Sequence, residues 1–353
     1  MRKSKIILAA GLSALCALSF FGCAPEAAGS SSAQSNADDN VMVLYCPHSM
    51  DFYAPIVDEF EQRYNISVKI VNAGTMEFLD RISLEQDDPQ GDVLWGGTIS
   101  TVSTRSYLFE NYVSPNDAFF PPEYRNTEGN MTRFTYILSV LMVNTDLIGG
   151  TEVTGYQSLL DPRLKGRIAA ADPTKTSSGK EQLVNMLYAM GEGDPSKGWD
   201  YVAKLCRNLD GKLLDSSSDV YNKVASGEFA VGLSFEEGAA NYVSSGAPVK
   251  IVYMKEGVIG NPDGVYIINN AKHGRAARQF VDFVTSEEVQ TMVAKSLNRR
   301  PLRTGVADPV AFPSRSEIHF ISENARQVAN NTQAWTRKFL SLFKASTLYG
   351  ENE

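Results

Sequence analysis

Hydrophobic positions along the chain switch repeatedly between two periods. Val41-Met42-Val43-Leu44-Tyr45 is a short apolar run of strand type. It is followed over residues 50–64 by a helical spacing that sets Ile56, Val57, Phe60 and Tyr64 on one face. Residues 67–71 predict a second strand, residues 76–85 a second helix, and residues 92–95 a third short strand. An alternation of this kind implies parallel strands with helices on both faces of the sheet. In such sheets ligands bind beyond the carboxyl ends of the strands. The loops at residues 46–49, 72–75, 96–98 and 173–179 therefore belong to one rim.

The middle of the chain changes character. Residues 134–144 form a long β-rich run, Phe-Thr-Tyr-Ile-Leu-Ser-Val-Leu-Met-Val-Asn, suited to a strand that crosses between two bodies. Beyond it the pattern predicts a strand at 167–171, helices at 180–190 and 198–209, and a short strand at 212–215. Ser216-Ser217-Ser218-Asp219 then caps a helix over 220–226. Strands follow at 230–235, 249–254 and 265–268, and helices at 272–283 and 287–294. The tail over 317–343 reads as two helices, with Trp335, Phe339 and Phe343 on an apolar face.

The amino terminus is an export signal. Arg2, Lys3 and Lys5 precede an apolar stretch ending in Gly22-Cys23, too short to span a membrane and followed by a polar tract. The Gly-Cys pair resembles a lipoprotein cleavage site, so residues 1–22 are expected to be a signal peptide and Cys23 to be lipidated. Residues 23–40, rich in Ser, Ala and Asp, have little to bury and suit a flexible tether. The full chain of 353 residues carries a net charge of −8, which becomes −11 once the leader's three cations are gone. That balance argues against nucleic acid and against a polybasic membrane footprint. Cys46 follows a strand and Cys206 sits within a helix, so separate thiols are favoured over a disulfide. Cys and His show no metal-type spacing, and no cofactor is expected.

The rim loops carry the candidate chemistry. Gly91-Asp92-Val93-Leu94-Trp95-Gly96-Gly97-Thr98 and Ala171-Asp172-Pro173-Thr174-Lys175-Thr176-Ser177-Ser178-Gly179 each end a strand in small, hydroxyl-rich residues before a helix. The first turn of a helix has unpaired N–H groups and a positive dipole end, which together hold anions. The competing reading is simple capping, which uses the same residue types. The candidate ligand-binding set is Cys46, His48, Thr75, Trp95, Gly97, Thr98, Thr176, Ser177, Ser178, Gly179, Tyr221, Glu236 and Glu237. His48 fits either the cleft or a solvent-facing turn, and Trp95 fits either the cleft or the core. Glu236 and Glu237 suit hydroxyls or an ammonium at the far end of a ligand, or else a solvated helix start. Arg299, Arg300 and Arg303 form a basic cluster that could reach an anion or lie on a permease-facing surface. His273 and His319 read as surface residues.

The order of the leader, the strand 41–45, Asp-Val-Leu-Trp-Gly-Gly-Thr, Ser-Leu-Leu-Asp-Pro-Arg-Leu-Lys-Gly at 158–166, the 171–179 loop, Val231 to Glu237 and Asn298-Arg299-Arg300-Pro301 resembles the type II extracellular solute-binding proteins of ABC importers. Within them it is similar to the branch holding ferric-ion, hexose-phosphate, 2-aminoethylphosphonate and thiamine binders. The resemblance implies an α/β, bilobal type II periplasmic-binding-protein fold with the ligand buried between lobes. Lobe one would take residues 41–136 and 265–353 and lobe two residues 137–264. The hinge would lie near 134–144 and 257–268. Partners would be a small anionic solute and the permease subunits, with the lipid anchor at the membrane and the protein monomeric.

Ferric binders of this group carry adjacent tyrosines after the strand at 230–235. Here Phe235-Glu236-Glu237-Gly238 stands there, and Tyr242 is the nearest tyrosine. Fe(III) favours hard anionic oxygen donors, which this set supplies poorly. Thiamine requires aromatic walls, for which Tyr45, Trp95 and Tyr221 are candidates. An organic phosphate or phosphonate is the better fit, accepting from Thr75, Thr98, Ser177, Ser178 and the Gly179 N–H. An enzyme is not expected, since the chain has no Gly-x-Ser-x-Gly elbow and no His-Glu-x-x-His. A sensor subunit that presents bound ligand to a kinase remains an alternative to transport.

Overall fold

The computed structural model describes residues 40–349. The expected leader, Cys23 and all but the last residue of the tether lie outside the described residues. Strand β1 (Val41–Tyr45) leads into helix α1 (Met50–Tyr64), β2 (Ser67–Val71), α2 (Thr75–Leu84), β3 (Val93–Thr98) and the single turn α3 (Ile99–Val102). After irregular 3₁₀ turns comes β4 (Thr132–Asn144), the longest strand. Then follow β5 (Ile168–Ala169), α4 (Ser177–Met190), α5 (Trp199–Leu209), α6 (Ser217–Ala225), β6 (Val231–Phe235), α7 (Glu236–Ser244) and β7 (Val249–Val252). The chain ends with β8 (Gly260–Ile267), α8 (Gly274–Val284), α9 (Glu287–Ser296), β9 (Arg300–Pro301) and α10 (Ala325–Tyr349).

The strands run in the order β2-β1-β3-β8-β4-β6-β5, with β7 and β9 also paired to β4. The expected parallel pairing holds between β1 and β2 and between β1 and β3. It stops at β8, which returns antiparallel between β3 and β4. Strand β4 carries the bilobal α/β architecture. Its first half, from Thr132 to Leu138, pairs with β8 and β9, and its second half, from Ser139 to Asn144, with β6 and β7. A separate core lies on each side. Phe52, Phe60, Trp95, Phe134 and Phe280 fill one, and Leu141, Leu183, Leu187, Val202 and Leu233 the other.

Several expectations need correction. The tail is one continuous helix, α10, rather than two, because no Gly or Pro interrupts residues 325–349. Glu317 instead closes a 3₁₀ turn over Arg315–Glu317, and beyond it Phe320 is bridged to Val258. The same helix packs Phe339 into the core that holds Leu205 and Leu209, which belongs to the side expected as lobe two. Residues 212–215 make a single bridge, Leu214 to Ala171, rather than a strand. Cys46 and Cys206 are both free and buried, as favoured. Among the described residues no helix is long and apolar enough to cross a membrane.

Candidate functional site

The rim loops of both sides meet around a cleft of about 220 Å³. The starts of α1, α2, α4, α6 and α7 all open onto it, through Ser49, Thr75, Ser177 with Ser178, Ser216 to Ser218, and Phe235 with Glu237. Thr98 adds a hydroxyl from the end of β3. The caps explain why these helices begin where they do. Thr176 Oγ1 accepts from the Gly179 N–H at 3.0 Å, and Ser216 Oγ accepts from the Asp219 N–H at 3.1 Å. By contrast α1, α2 and α7 begin at Ser49, Gly74 and Phe235 with no side-chain cap, so their first N–H groups remain available. Gly97 is required where it stands. Its φ is +83°, and a Cβ there would lie 2.5 Å from Thr75 Cγ2.

The two sides already touch. Thr75 Oγ1 donates to Ser177 Oγ at 3.4 Å across the cleft. A Cβ on Gly74 would meet the Lys175 carbonyl at 2.6 Å. Thr98 and Ser100 both donate to Glu181 Oε1 at 2.6 Å, and Asn261 donates to Glu181 Oε2. Ser178 and Ser217 share a hydrogen bond between the starts of α4 and α6. The cleft is therefore seen closed.

Charge at the floor is concentrated in one network. Arg299 lines the cleft at 3 % exposure and donates to Glu237 Oε2 at 2.6 Å and to Asp263 Oδ2 at 2.9 Å. Its guanidinium lies 4.2 Å from the Phe52 ring centroid. Arg299 Nε and His48 Nε2 are both buried without a hydrogen-bond partner. Burial, with Arg299 close by, pushes the His48 imidazole well below its usual range, so it stays neutral. Asp263 is pushed up by burial and pulled back by Arg299. Burial, reinforced by Glu237, raises the Tyr221 phenol and keeps it neutral.

Of the candidates read from sequence, His48, Thr75, Gly97, Thr98, Thr176, Ser177, Ser178, Tyr221 and Glu237 line the cleft. Cys46, Trp95, Gly179 and Glu236 do not. Cys46 is fully buried and its thiol is pushed up to about 12 by burial. Trp95 packs edge-on against His48, Phe134 and Phe280, in the core behind the rim. The Gly179 N–H is consumed by the Thr176 cap. Glu236 is taken up by Arg300, at 2.7 Å through both oxygens, and by the Tyr253 hydroxyl.

The glutamate pair is thus no solvated helix start, and Arg299, Arg300 and Arg303 are no surface cluster, since all are buried. His273 is half-buried against Asp92, with Nδ1 2.8 Å from Oδ2, rather than a surface residue. His319 is exposed, as expected. Asn72, Glu181, Ser216 to Ser218 and Asn261 were missed as lining residues. The serine run had a usable signal, because it repeats the hydroxyl-rich helix start of α4. Glu181 and Asn261 had none, being placed by tertiary contacts alone.

Comparison with known proteins agrees with this architecture. Residues 104–326 match the family described as bacterial extracellular solute-binding protein. The periplasmic binding protein AfuA of Actinobacillus pleuropneumoniae, solved with fructose 6-phosphate bound, superposes with a TM-score of 0.79 at 25% identity, over 86% of this chain and 98% of that one. A structure described as a two-component system protein mediating signal transduction gives a TM-score of 0.70 at 27% identity, over 86% of this chain and 100% of that one. A putative 2-aminoethylphosphonate-binding periplasmic protein of Salmonella typhimurium is 25% identical over 272 residues, which is 72% of this chain and 75% of its own. Joined helix starts around a closed cleft, a strand shared by two cores and these likenesses lead to one assignment: the chain belongs to the bacterial extracellular solute-binding proteins, the substrate-capturing components of ABC importers.

Proposed function

We propose that this protein captures a small organic phosphate or phosphonate in the cleft and delivers it to its permease. The observation that carries the reading is the convergence of helix starts with hydroxyls at their first turns. Such ends present N–H donors and a positive dipole to the same small volume. Each charge-assisted hydrogen bond contributes roughly 1.5–3 kcal/mol net. A few of them bring micromolar binding, about −8 kcal/mol, within reach after the cost of immobilising the ligand. Of the acidic groups lining the cleft, Glu237 is paired with Arg299 and Asp215 with Lys175, while the Glu181 carboxylate is taken up by Thr98, Ser100 and Asn261.

The alternatives lose support. Tyr242 donates to Asn222 and does not line the cleft, which leaves Tyr221 as the cleft's phenol for a ferric ion. Tyr45 and Trp95, two of the three rings considered for thiamine, are fully buried in the core. The likeness to a signal-transduction protein favours a second reading, in which the same bound solute is presented to a sensor.

A thermal-shift panel of hexose phosphates, 2-aminoethylphosphonate, inorganic phosphate, thiamine and Fe(III) tests the ligand. A phosphorylated or phosphonated solute at about 100 times its Kd should add roughly 2.7 kcal/mol and raise Tm. The double variant Ser177→Ala, Ser178→Ala should lose that shift. A shift with Fe(III) or thiamine alone would sink the reading.

In this reading the protein acts as a monomer whose lobes hinge through β4 and β8, with α10 moving with the second lobe. It is held at the membrane by lipid on Cys23. Stable attachment takes more than one acyl chain. Cys23→Ser should move the protein from the membrane fraction to the soluble one, and a variant that stays membrane-bound would remove Cys23 as the anchor.

A further inference from the structure

Glu181 is the meeting point of elements that must part when the cleft opens. It lies in the first turns of α4. It accepts from Thr98 and Ser100 on the opposite rim, both at 2.6 Å, and from Asn261 on β8. Asn261 also lies close to Glu323, in the extended segment before α10. One side-chain amide thus stands beside two carboxyl groups and donates to Glu181. Glu323 Oε2 is buried and has no hydrogen-bond partner. The segment is fixed to α4, because Tyr188 accepts from the Asn324 N–H at 3.2 Å and donates to Gln327 at 3.0 Å. Glu181 and Glu323 therefore stay together whatever the rim does. What changes on opening is their cover, since Thr98 and Ser100 leave and water enters.

We propose that Glu181 is the latch that holds the closed cleft, and that closure loads a proton onto Glu323 so that the carboxyl pair at the latch bears a single negative charge. Two carboxylates set beside one amide and shielded from water repel each other, and protonating the one with an unpartnered oxygen relieves this. The proton comes from solvent as the rim closes and returns to it on opening.

The direction of the pH dependence follows. In the closed form burial, aided by Glu181, raises the Glu323 carboxyl from 4.5 to about 8. With the cleft open and hydrated it returns toward its ordinary value. Between those limits the closed form binds one proton more than the open form. Ligand affinity then falls by up to about tenfold per pH unit as pH rises through that window, and levels off above it. The other charged groups nearby do not reverse this. Lys180 beside Glu181 contacts Met76 Sδ and faces Asp80 and Arg105, which are paired at 2.6 Å. Burial lowers its ammonium to about 8, so it remains charged at pH 7 and matters only above the window. Tyr188 is a neutral phenol throughout, its pKa raised by burial.

The test rests on the organophosphate reading but can fail separately from it. Binding of fructose 6-phosphate, with 2-aminoethylphosphonate alongside, is measured by calorimetry from pH 5.5 to 8.5 in buffers of different ionisation enthalpy. Wild type and Glu323→Gln see the same ligand, so its own titration cancels. At pH 7 the wild type should take up close to one proton more than Glu323→Gln, whose affinity should show the flatter pH profile. Glu181→Gln should weaken binding at every pH by about tenfold or more, the worth of one charge-assisted hydrogen bond. Equal proton uptake in wild type and Glu323→Gln, or unchanged affinity in Glu181→Gln, overturns the proposal. If neither ligand binds, the organophosphate reading fails, and the carboxyl is read directly by ¹³C NMR of glutamate-labelled protein locked closed by a disulfide between Thr75→Cys and Ser177→Cys, which face each other across the cleft. A resonance titrating near 8 in the locked protein and missing from its Glu323→Gln form then supports the proton. Glutamates that all titrate below pH 6 overturn it.

Discussion

Arg299 and Glu237 show how much a single pair decides at this site. Both are buried, and their charges meet at 2.6 Å beneath the cleft. Arg300 and Glu236 repeat the arrangement one position along. Consecutive arginines thus reach consecutive glutamates at the start of α7, and the pairs tie the segment after α9 to that helix. A buried pair adds little net stability over an apolar substitute, but losing one partner strands the other's charge. Glu237→Gln should therefore lower unfolding stability by about 3–5 kcal/mol in a denaturant titration. A loss under about 1 kcal/mol would mean that Asp263 alone compensates Arg299. Residue types at these positions were visible beforehand, but their pairing was not. The arginines and glutamates lie some sixty positions apart, and nothing in their spacing connects them.

At the scale of elements, most helices and strands follow from local pattern. The amphipathic spacing of α1, the apolar run of β1 and the β-rich stretch of β4 are each sufficient in isolation. Helix starts were also legible, because Thr176 and Ser216 cap as their types predict. The misses share a cause. Strand β8 begins at Gly260, five residues before its expected start, since Asn261 and Pro262 pair across β4 and Asp263 across β3 despite weak strand propensity. Helix α10 runs through its expected break because α4 and α5 supply the surface for its apolar face. In both, tertiary contact outweighs local preference.

For the whole molecule, the cross-cleft contacts Thr75 to Ser177 and Thr98 to Glu181 mark a closed form. A ligand bound by both sides favours that form over an open one only to the extent that it binds it more tightly. Small-angle scattering with and without saturating ligand should show a smaller radius of gyration with ligand. An unchanged radius with a proven ligand would argue against a hinge through β4 and β8.

The chain's own pattern determined the α/β class of the fold, the rim that borders the cleft and the hydroxyl-rich loops at that rim, because each depends on residues close together in sequence. Which side chains face the cleft was decided by packing. Trp95 turns into the core, Gly179 spends its N–H on a cap, and Arg299 comes to the floor from near the far end of the chain. Those outcomes depend on distances between segments that only meet once the sheet is assembled, and hydrophobic periodicity carries no information about such meetings.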